Sequence, residues 1–298
     1  MTHADSLAPV VASSATCEPC STRLVLSDVL DRYFREADRK VFDTGRYRCS
    51  YYVWGDGPTL VFFPGLCDDG LSFVLPIARL KDHFRCVALD LPTGHGDGAH
   101  LGRYHRADHV VDVLALLDHL KLQQAYLYGS SYGATIALGA LYRQPERFPA
   151  AILQGAFARR PLAKAEVMLA SWGRYWRGNM AALPFRRAVL KVSREPSFLE
   201  REPAVWNFFL QRTGAPPMAA VARRALILHR LDLRPLLPCI QMPVLLICGD
   251  HDPVVDKACQ EELEHGLPRP TRAELERCGH LPHYSHPELL AEIGRAHV

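Results

Sequence analysis

The sequence predicts an α/β fold in which helices cover both faces of a mostly parallel β-sheet. Short apolar runs of the kind that form buried strands occur at residues 60–63, 86–89, 125–128, 150–153 and 244–248. Stretches with helical spacing of apolar residues lie between some of them, at residues 107–121 and 131–143. Strands buried on both faces are apolar throughout, and their alternation with helices is typical of a parallel sheet between helical layers.

The N-terminal part of the chain carries three different patterns. Residues 1–20 contain no Lys or Arg and no sustained apolar run, so they do not resemble a secretory signal. Their Ala, Ser, Thr and Pro content predicts a disordered tail. Apolar residues at helical spacing predict a helix over residues 24–40 with Ser27 as its N-cap. Alternation over residues 47–53 predicts a strand before the Gly- and Pro-containing turn at residues 55–58.

The strand–helix alternation lapses between residues 157 and 238, which are rich in aromatic residues and contain several prolines. Helical spacing recurs there in pieces, which favours a mostly helical cap inserted between two strands of the sheet. The alternative is that this stretch is simply more of the main core. The predicted organisation is therefore a tail over residues 1–20, a core over residues 21–156 and 239–298, and a cap over residues 157–238.

Composition places the chain among ordinary globular proteins. Of its 298 residues, 48% are apolar and 22% are charged, and the net charge of +3 does not point to a nucleic-acid partner. No apolar run is long enough to span a bilayer. The nine cysteines are an odd number, and Cys86 and Cys248 lie inside apolar segments. This pattern indicates free thiols in a reducing compartment, and we expect a cytoplasmic location. The pair Cys17 and Cys20 has no second pair or His cluster beside it, so a metal or redox role is not favoured.

The most informative motif is the sequence Gly-Ser-Ser-Tyr-Gly at residues 129–133, which contains the pattern Gly-x-Ser-x-Gly. It follows a predicted strand directly and precedes a predicted helix directly. The two glycines permit a tight strand-to-helix turn that exposes the hydroxyl of Ser131 at the edge of the sheet. The amide of Tyr132 lies at the start of the helix, where it can stabilise a developing oxyanion. The alternative is an ordinary glycine-rich turn.

A serine nucleophile needs a base, and the base needs a carboxylate that orients it. Both are expected downstream, at the ends of later strands. Asp252 lies in the loop after the predicted strand at residues 244–248. His280 follows a stretch at residues 272–276 that alternates like a strand. Asp250 competes with Asp252 as the orienting carboxylate.

These motifs together resemble the α/β-hydrolase superfamily. The resemblance is carried by four segments in the family's order: the sequence Asp-Leu-Pro-Thr-Gly-His-Gly at residues 90–96, residues 129–133, the sequence Gly-Asp-His-Asp-Pro at residues 249–253, and Gly279–His280. It covers roughly residues 46–156 and 239–298. It implies an eight-stranded, mostly parallel sheet, an acyl-enzyme mechanism and no dissociable cofactor.

The resemblance also assigns roles to individual residues. It implies that Ser131 is the nucleophile, that His280 is the general base and then acid, and that Asp252, just before the proline, orients His280. A second oxyanion donor is expected in the loop after residue 63. Family members often carry His-Gly there, whereas this chain has Pro64 and Gly65 before Leu66. The amide of Leu66 can still serve, because only the main chain is needed.

The remaining histidines of these motifs have simpler interpretations. His95 lies in a Gly-His-Gly turn and is expected to be structural. His283 and His286 follow the predicted catalytic loop and are expected near the surface or behind the catalytic residues. They form no pattern typical of a metal site.

The cap segment carries an unusual charge. Residues 157–238 contain 15 Lys and Arg against 5 Asp and Glu, a balance of +10, so the rest of the chain sums to −7. A basic, aromatic cap suggests an acyl substrate that is acidic or lipid-like, or an anionic membrane surface. The alternative is that the arginines only solvate the outer faces of amphipathic helices.

The sequence therefore predicts a serine hydrolase that cleaves an ester, thioester or related acyl bond. The same residues also suit an acyltransferase or a carbon–carbon bond hydrolase, because substrate and acceptor are decided outside the triad. A non-catalytic interaction protein that retains the fold is a further alternative. The oligomeric state is left open.

Overall fold

The structure, a computed structural model, describes residues 10–11, 24–183 and 198–298. Its centre is a β-sheet whose strands are β1 (Val10–Val11), β2 (Asp38–Asp43), β3 (Arg48–Trp54), β4 (Thr59–Phe63), β5 (Arg85–Leu89), β6 (Tyr126–Ser130), β7 (Ala151–Gln154), β8 (Val244–Gly249) and β9 (Pro270–Leu275). They are ordered β1-β9-β8-β7-β6-β4-β5-β3-β2. The strands β2 and β3 run antiparallel to their neighbours, and all other pairs are parallel. The predicted mostly parallel sheet is confirmed, with eight strands and the two-residue β1 at its edge.

Helices cover both faces of this sheet. Those of the core are α1 (Leu26–Glu36), α2 (Val74–Leu80), α3 (Arg106–His119), α4 (Tyr132–Arg143), α9 (Lys257–Gly266), α10 (Pro282–Ser285) and α11 (Pro287–His297). The strands β4, β7 and β8 are buried along their whole length, as their apolar sequences predict. Buried residues form two large apolar clusters: one contains Val61 and Leu127, and the other contains Leu60 and Tyr128. Neighbouring residues of one strand point to opposite faces, so each cluster fills one face of the sheet.

The N-terminal helix is shorter than its sequence pattern suggests. It was expected over residues 24–40, but α1 ends at Glu36 and the chain continues as the edge strand β2. Residues of β2 pair in register with β3, from Asp38 opposite Val53 to Asp43 opposite Arg48. Most of β2 is exposed, so it lacks an apolar pattern that could have revealed it. Pairing with a neighbouring strand decides its conformation. Of the predicted tail, only Val10 and Val11 belong to the described residues, and they pair with β9.

Between β7 and β8 lies the segment predicted as a cap, residues 157–238, which we call the cap segment. Its described part contains α5 (Lys164–Gly173), α6 (Phe198–Arg201), α7 (Pro203–Gly214) and α8 (Met218–His229). The helices α5 and α8 pack against each other. The helix α7 instead joins the apolar cluster on one face of the sheet, where Phe209 lies 5.3 Å from the ring of Tyr284. Part of this segment is thus packed as core, and part stands over the sheet edge.

Candidate active site

The turn that carries Ser131 has the strained geometry that its glycines predict. β6 ends at Ser130 and α4 begins at Tyr132, and Ser131 between them has φ 51° and ψ −111°. Positive φ is unusual for a residue with a Cβ and persists only where the surroundings enforce it. A Cβ on Gly133 would lie 2.2 Å from the carbonyl oxygen of Phe63. Glycine therefore lets α4 pack tightly against the end of β4, which holds Ser131 at the sheet edge.

The structure brings the three predicted catalytic residues into one hydrogen-bonded chain. The Ser131 Oγ lies 2.9 Å from the His280 Nε2, and the His280 Nδ1 lies 2.7 Å from the Asp252 Oδ2. An ionised carboxylate only accepts hydrogen bonds, so the His280 Nδ1 carries the proton and donates it to Asp252. The His280 Nε2 is then free to accept the proton of the Ser131 hydroxyl. This is the tautomer that a general base requires.

Asp252 is buried, and its charge is well supported. The backbone amides of Val254 and Val255 donate hydrogen bonds of 2.8 and 3.0 Å to its Oδ1. Burial by itself raises the pKa of Asp252, but the charge and hydrogen bond of His280 and the two amides outweigh it. The pKa therefore lies below its usual value. Asp252 is thus ionised at neutral pH and can hold the imidazole ring in one orientation.

Asp250, the competing carboxylate, has a different position. It accepts hydrogen bonds of 2.9 Å from the backbone amides of Arg277 and Cys278, and it lies 2.7 Å from the Nδ1 of His251. These contacts join the end of β8 to the loop that leads to His280. Asp250 therefore fixes the loop backbone, whereas Asp252 contacts the ring of His280.

Gly155 is a residue of the site that the sequence analysis missed. It follows β7 and has φ 53°. A Cβ at this position would lie 2.9 Å from the His280 Cε1 and 3.0 Å from its Nδ1. The absence of a side chain thus leaves room for the imidazole between Asp252 and Ser131. The signal in the sequence was a glycine two positions after the predicted strand at residues 150–153, but its meaning depends on a residue 125 positions away.

The two predicted oxyanion donors are the amide of Tyr132, next to Ser131 at the start of α4, and the amide of Leu66, in the loop after β4. Within the part of the chain that the structure describes, neither the amide of Leu66 nor that of Tyr132 donates a hydrogen bond to another backbone group. The Tyr132 amide is at the first turn of α4, where amides have no intrahelical partner. The loop passes close to Ser131, because a Cβ on Gly65 would lie 3.8 Å from the Ser131 Cβ. Neither amide is therefore engaged by another backbone group of the described residues, as the predicted role of oxyanion donor requires.

A buried arginine from the cap segment supports this loop. Arg224 of α8 is only 3% exposed, and its Nη1 donates a 2.9 Å hydrogen bond to the carbonyl oxygen of Leu66. Its Nη2 donates to the carbonyl oxygen of Pro92 at 3.0 Å. Among the described residues no carboxylate pairs with it, and burial lowers the pKa of its guanidinium. The contact ties the cap segment to the peptide next to the Leu66 amide.

A second buried polar cluster lies behind the nucleophile turn. The side-chain amide of Gln154 donates to the Ser130 Oγ at 3.0 Å and lies 2.9 Å from the His283 Nδ1. The opposite ring nitrogen of His283 lies 3.6 Å from the Asp68 Oδ2. His283 is fully buried, so of the two expected positions, at the surface or behind the catalytic residues, it takes the second. These contacts hold Ser130 by its side chain and leave Ser131 as the serine that faces His280.

The other predicted features take peripheral positions. His95 is exposed in its turn, and the His286 Nδ1 lies 2.8 Å from the Ser285 Oγ. No group of three or more His, Cys, Asp or Glu among the described residues is arranged to hold a metal ion. Seven cysteines in those residues are free thiols, while Cys17 and Cys20 lie outside them. A search of the same residues for a helix long and apolar enough to cross a membrane finds none.

Three comparisons relate this chain to known proteins. A sequence model described as the alpha/beta hydrolase fold matches residues 58–287. The uncharacterized hydrolase YugF of Bacillus subtilis is 28% identical over 255 residues, which cover 81% of this chain and 91% of that protein. The 3-oxoadipate enol-lactonase 2 of Acinetobacter baylyi is 27% identical over 242 residues, which cover 80% and 88%. The crystal structure of the enol-lactonase from Burkholderia xenovorans LB400 matches with a TM-score of 0.79 at 24% identity, and the match covers 86% of this chain and 98% of that one.

Proposed function

We propose, because the chain belongs to the α/β-hydrolase family, that it cleaves carboxylic esters through a covalent acyl-enzyme on Ser131. The family match confirms the resemblance and the fold that the sequence predicted, and related hydrolases and a lactonase support ester hydrolysis in general. The proposal of an acyl-enzyme on Ser131 rests on the chain of hydrogen bonds from Ser131 through His280 to Asp252, at 2.9 and 2.7 Å.

Acylation begins with attack of the Ser131 Oγ on the ester carbonyl carbon. The Ser131 proton moves to the His280 Nε2, and Asp252 stabilises the imidazolium that forms. The carbonyl oxygen becomes an oxyanion within reach of the amides of Leu66 and Tyr132. The bond to the alkoxy oxygen then breaks, and that oxygen takes the proton from His280. The acyl group stays on Ser131. The alcohol of an open-chain ester leaves, whereas the hydroxyl formed from a lactone remains on the acyl chain.

Deacylation uses the same groups in reverse order. A water molecule gives a proton to the His280 Nε2 while its oxygen attacks the acyl carbon. The two amides again hold the oxyanion. The bond to the Ser131 Oγ breaks, and the hydroxyl regains its proton from His280. The products are the carboxylic acid and the free enzyme, so no group other than water is consumed.

The substrate we propose is an ester or lactone with an acidic or lipid-like acyl part. The named lactonase among the relatives favours internal esters as first substrates. The balance of +10 over the cap segment favours an acidic group on the substrate. A cytoplasmic location remains our prediction, and the seven free thiols of the described residues are compatible with it.

Labelling with a fluorophosphonate tests this proposal, because the probe reacts only with an activated serine. We expect strong labelling of the wild type, none of Ser131→Ala, and a large loss for His280→Ala. Ser130→Ala is the matched control, since Ser130 is the adjacent serine but is held by Gln154. It should label like the wild type. A folded wild type that stays unlabelled would overturn the proposal and favour the interaction-protein alternative.

Product analysis then separates hydrolysis from acyl transfer. The enzyme turns over a lactone or ester in the presence of competing alcohols and thiols. If the enzyme is a hydrolase, the fraction of product that is free acid does not change with the concentration of alcohol or thiol, because water is the acceptor. A product ratio that follows the added alcohol or thiol would instead identify an acyltransferase.

A further inference from the structure

A cavity of about 440 Å³ lies where the cap segment meets the core, and it is lined by arginines from both sides. The core contributes Arg106, at the start of α3, and Leu101 and Gly102 from the 3-10 turn that precedes α3. The cap segment contributes Arg174, directly after α5, Arg223, within α8, and Arg230, directly after α8. The cavity contains none of the residues of the proposed catalytic site.

The positive charge of this cavity is not neutralised by its own walls. None of its four arginines forms an ion pair within residues 24–183 and 198–298. The carboxylate that lines the cavity, Asp232, is held by Arg234, which lies outside it, at 2.8 Å to Oδ1 and 2.5 Å to Oδ2. The Arg234 hydrogen bonds lower the pKa of Asp232 to about 2. Asp232 is therefore already paired and supplies little charge to the cavity.

Two of the arginines are partly buried and form no hydrogen bond or ion pair among the described residues. The Arg174 guanidinium lies 4.7 Å from the ring centroid of Tyr175, and the Arg106 Nη1 lies against Gly139. The Arg174 Nε is buried and has no hydrogen-bond partner in the described part of the chain. Burial lowers the pKa of Arg106, which has no carboxylate beside it to offset that cost. The Arg223 Nη1 lies 3.4 Å from the position of a Cβ on Gly102, so this side chain reaches from α8 across to the core. Arg106, Arg174 and Arg223 are thus partly buried cations without a counter-charge at the wall of one cavity. Such cations are costly, and an anionic ligand that reaches them lowers that cost.

The donors match a phosphate group. Guanidinium groups present planar forks of N–H donors that bind phosphate oxygens in pairs, and several of them together favour a doubly charged anion. The volume falls within the range of roughly 300–1,000 Å³ that small-molecule sites occupy. Leu226, Ile227 and Tyr104 line the rest of the cavity and offer apolar contact to an organic group. We propose that this cavity is a binding site for the phosphate group of a phosphorylated organic molecule.

Two sources supply that chemistry, a small phosphorylated molecule or the headgroup of a phospholipid. The neighbouring helix α5 and the residues directly after it expose several large apolar side chains on the surface of the cap segment. The most exposed of them are Met168 at 58%, Leu169 at 68%, Trp172 at 79%, Tyr175 at 71% and Trp176 at 56%. Exposed tryptophans next to arginines are typical of surfaces that lie at a lipid interface. The experiments therefore need one arm for each source.

A thermal titration tests the soluble source. The probes are inorganic phosphate and glycerol 3-phosphate, with the ionic strength held constant by NaCl. At ten times the dissociation constant we expect the melting temperature to rise by about 3 °C. The variant Arg223→Gln/Arg230→Gln removes two guanidiniums from a partly exposed helix face. It should need roughly 100-fold more ligand for the same rise, because each charged hydrogen-bond pair contributes about tenfold.

A vesicle assay tests the lipid source. Co-sedimentation is measured with vesicles of phosphatidylglycerol in phosphatidylcholine and with pure phosphatidylcholine. The expected result for a headgroup ligand is sedimentation with the anionic vesicles alone, and its loss in Arg223→Gln/Arg230→Gln. Sedimentation that the variant retains would contradict binding of the headgroup in this cavity.

A matched control separates this site from general electrostatics. Arg143→Gln/Arg269→Gln removes the same two charges from exposed positions outside the cavity. It should behave like the wild type in both assays. The proposal is overturned if neither probe nor vesicle binds, or if this control loses binding as the cavity variant does. The proposal is independent of the catalytic site. Ser131→Ala should bind phosphate like the wild type, whether or not the fluorophosphonate labels Ser131 in the wild type.

Discussion

At the carboxyl edge of the sheet, Asp252 and His280 are buried as a hydrogen-bonded pair, and two backbone amides complete the shell of Asp252. At the boundary of the cap segment, Arg224 and the four arginines of the cavity form no ion pair with a carboxylate among the described residues. The first region satisfies its charges from within the fold. The second satisfies them with carbonyl oxygens or leaves them open to a ligand.

The difference has a structural cause. The catalytic residues follow parallel strands, whose carboxyl ends meet at one sheet edge and whose loops are anchored on both sides. Backbone amides in those loops are available to hold a carboxylate. The described part of the cap segment consists largely of helices whose backbone groups are already paired, so its side chains must find partners on other elements. We therefore expect changes at the sheet edge to affect catalysis most, and changes at the cap boundary to affect geometry and binding.

The largest effect is expected from Asp252→Asn. The substitution removes the charge that stabilises the imidazolium and the acceptor that fixes the His280 tautomer, so kcat should fall about 10,000-fold with a similar melting temperature. Steady-state kinetics on a lactone or ester measure it. Asp250→Asn is the control, because Asp250 contacts loop amides instead of the ring. An equal loss in both variants would mean that the loop, and not the carboxylate at His280, limits the reaction.

Gly155→Ala should lower the activity by displacing the imidazole ring of His280. The new Cβ would lie 2.9 Å from the His280 Cε1, so the ring must leave the position in which it contacts Ser131 and Asp252. We expect kcat to fall about 100-fold, as small misplacements of reacting groups do. Gly45→Ala is matched for backbone strain, since Gly45 has φ 81° and no atom within 4 Å of its Cβ position. It should lose comparable stability and keep its activity. Loss of activity in both would contradict a specific role of Gly155.

Arg224→Lys tests the cap side of the comparison. Lysine keeps the charge but cannot donate two spread hydrogen bonds to the carbonyl oxygens of Leu66 and Pro92. The loop that carries the Leu66 amide should loosen, and kcat should fall about tenfold with little change in KM. Arg143→Gln serves as an exposed control. A rise in KM at unchanged kcat would show that Arg224 contributes to binding alone.

The smallest effect is expected at Asp90, a carboxylate at the end of β5 that contrasts with Asp252. Burial, and then the charge of Asp69, raise the pKa of Asp90 to about 6. Its folded-state pKa lies above the unfolded one, so the folded state binds more protons and loses stability as the pH rises through about 6. Asp90→Asn should therefore raise the stability at pH 8 by about 1–2 kcal/mol and leave it unchanged near pH 4. Denaturant unfolding at both pH values checks this, and equal gains at both would contradict the assignment.

Local sequence patterns were sufficient to predict those site residues that follow the end of a strand. Ser131, Asp252 and His280 each follow an apolar or alternating strand pattern, so their convergence at one edge could be predicted. The contribution of Arg224 could not, because it depends on how α8 lies over the loop at Leu66. The same holds for Gly155, whose role exists only because His280 occupies the space beside it. The exposed strand β2 was missed for a related reason, since pairing with β3 decides its conformation and no apolar pattern announces it.

Locating the covalently modified residue tests most directly whether Ser131 is the nucleophile. The wild type is reacted with a fluorophosphonate, digested, and the modified peptide is sequenced by mass spectrometry. We expect one adduct, on Ser131, at unit stoichiometry, and no adduct in Ser131→Ala or on the neighbouring Ser130. An adduct on another residue, or an unmodified Ser131 in the folded wild type, would contradict the claim that Ser131 is the nucleophile.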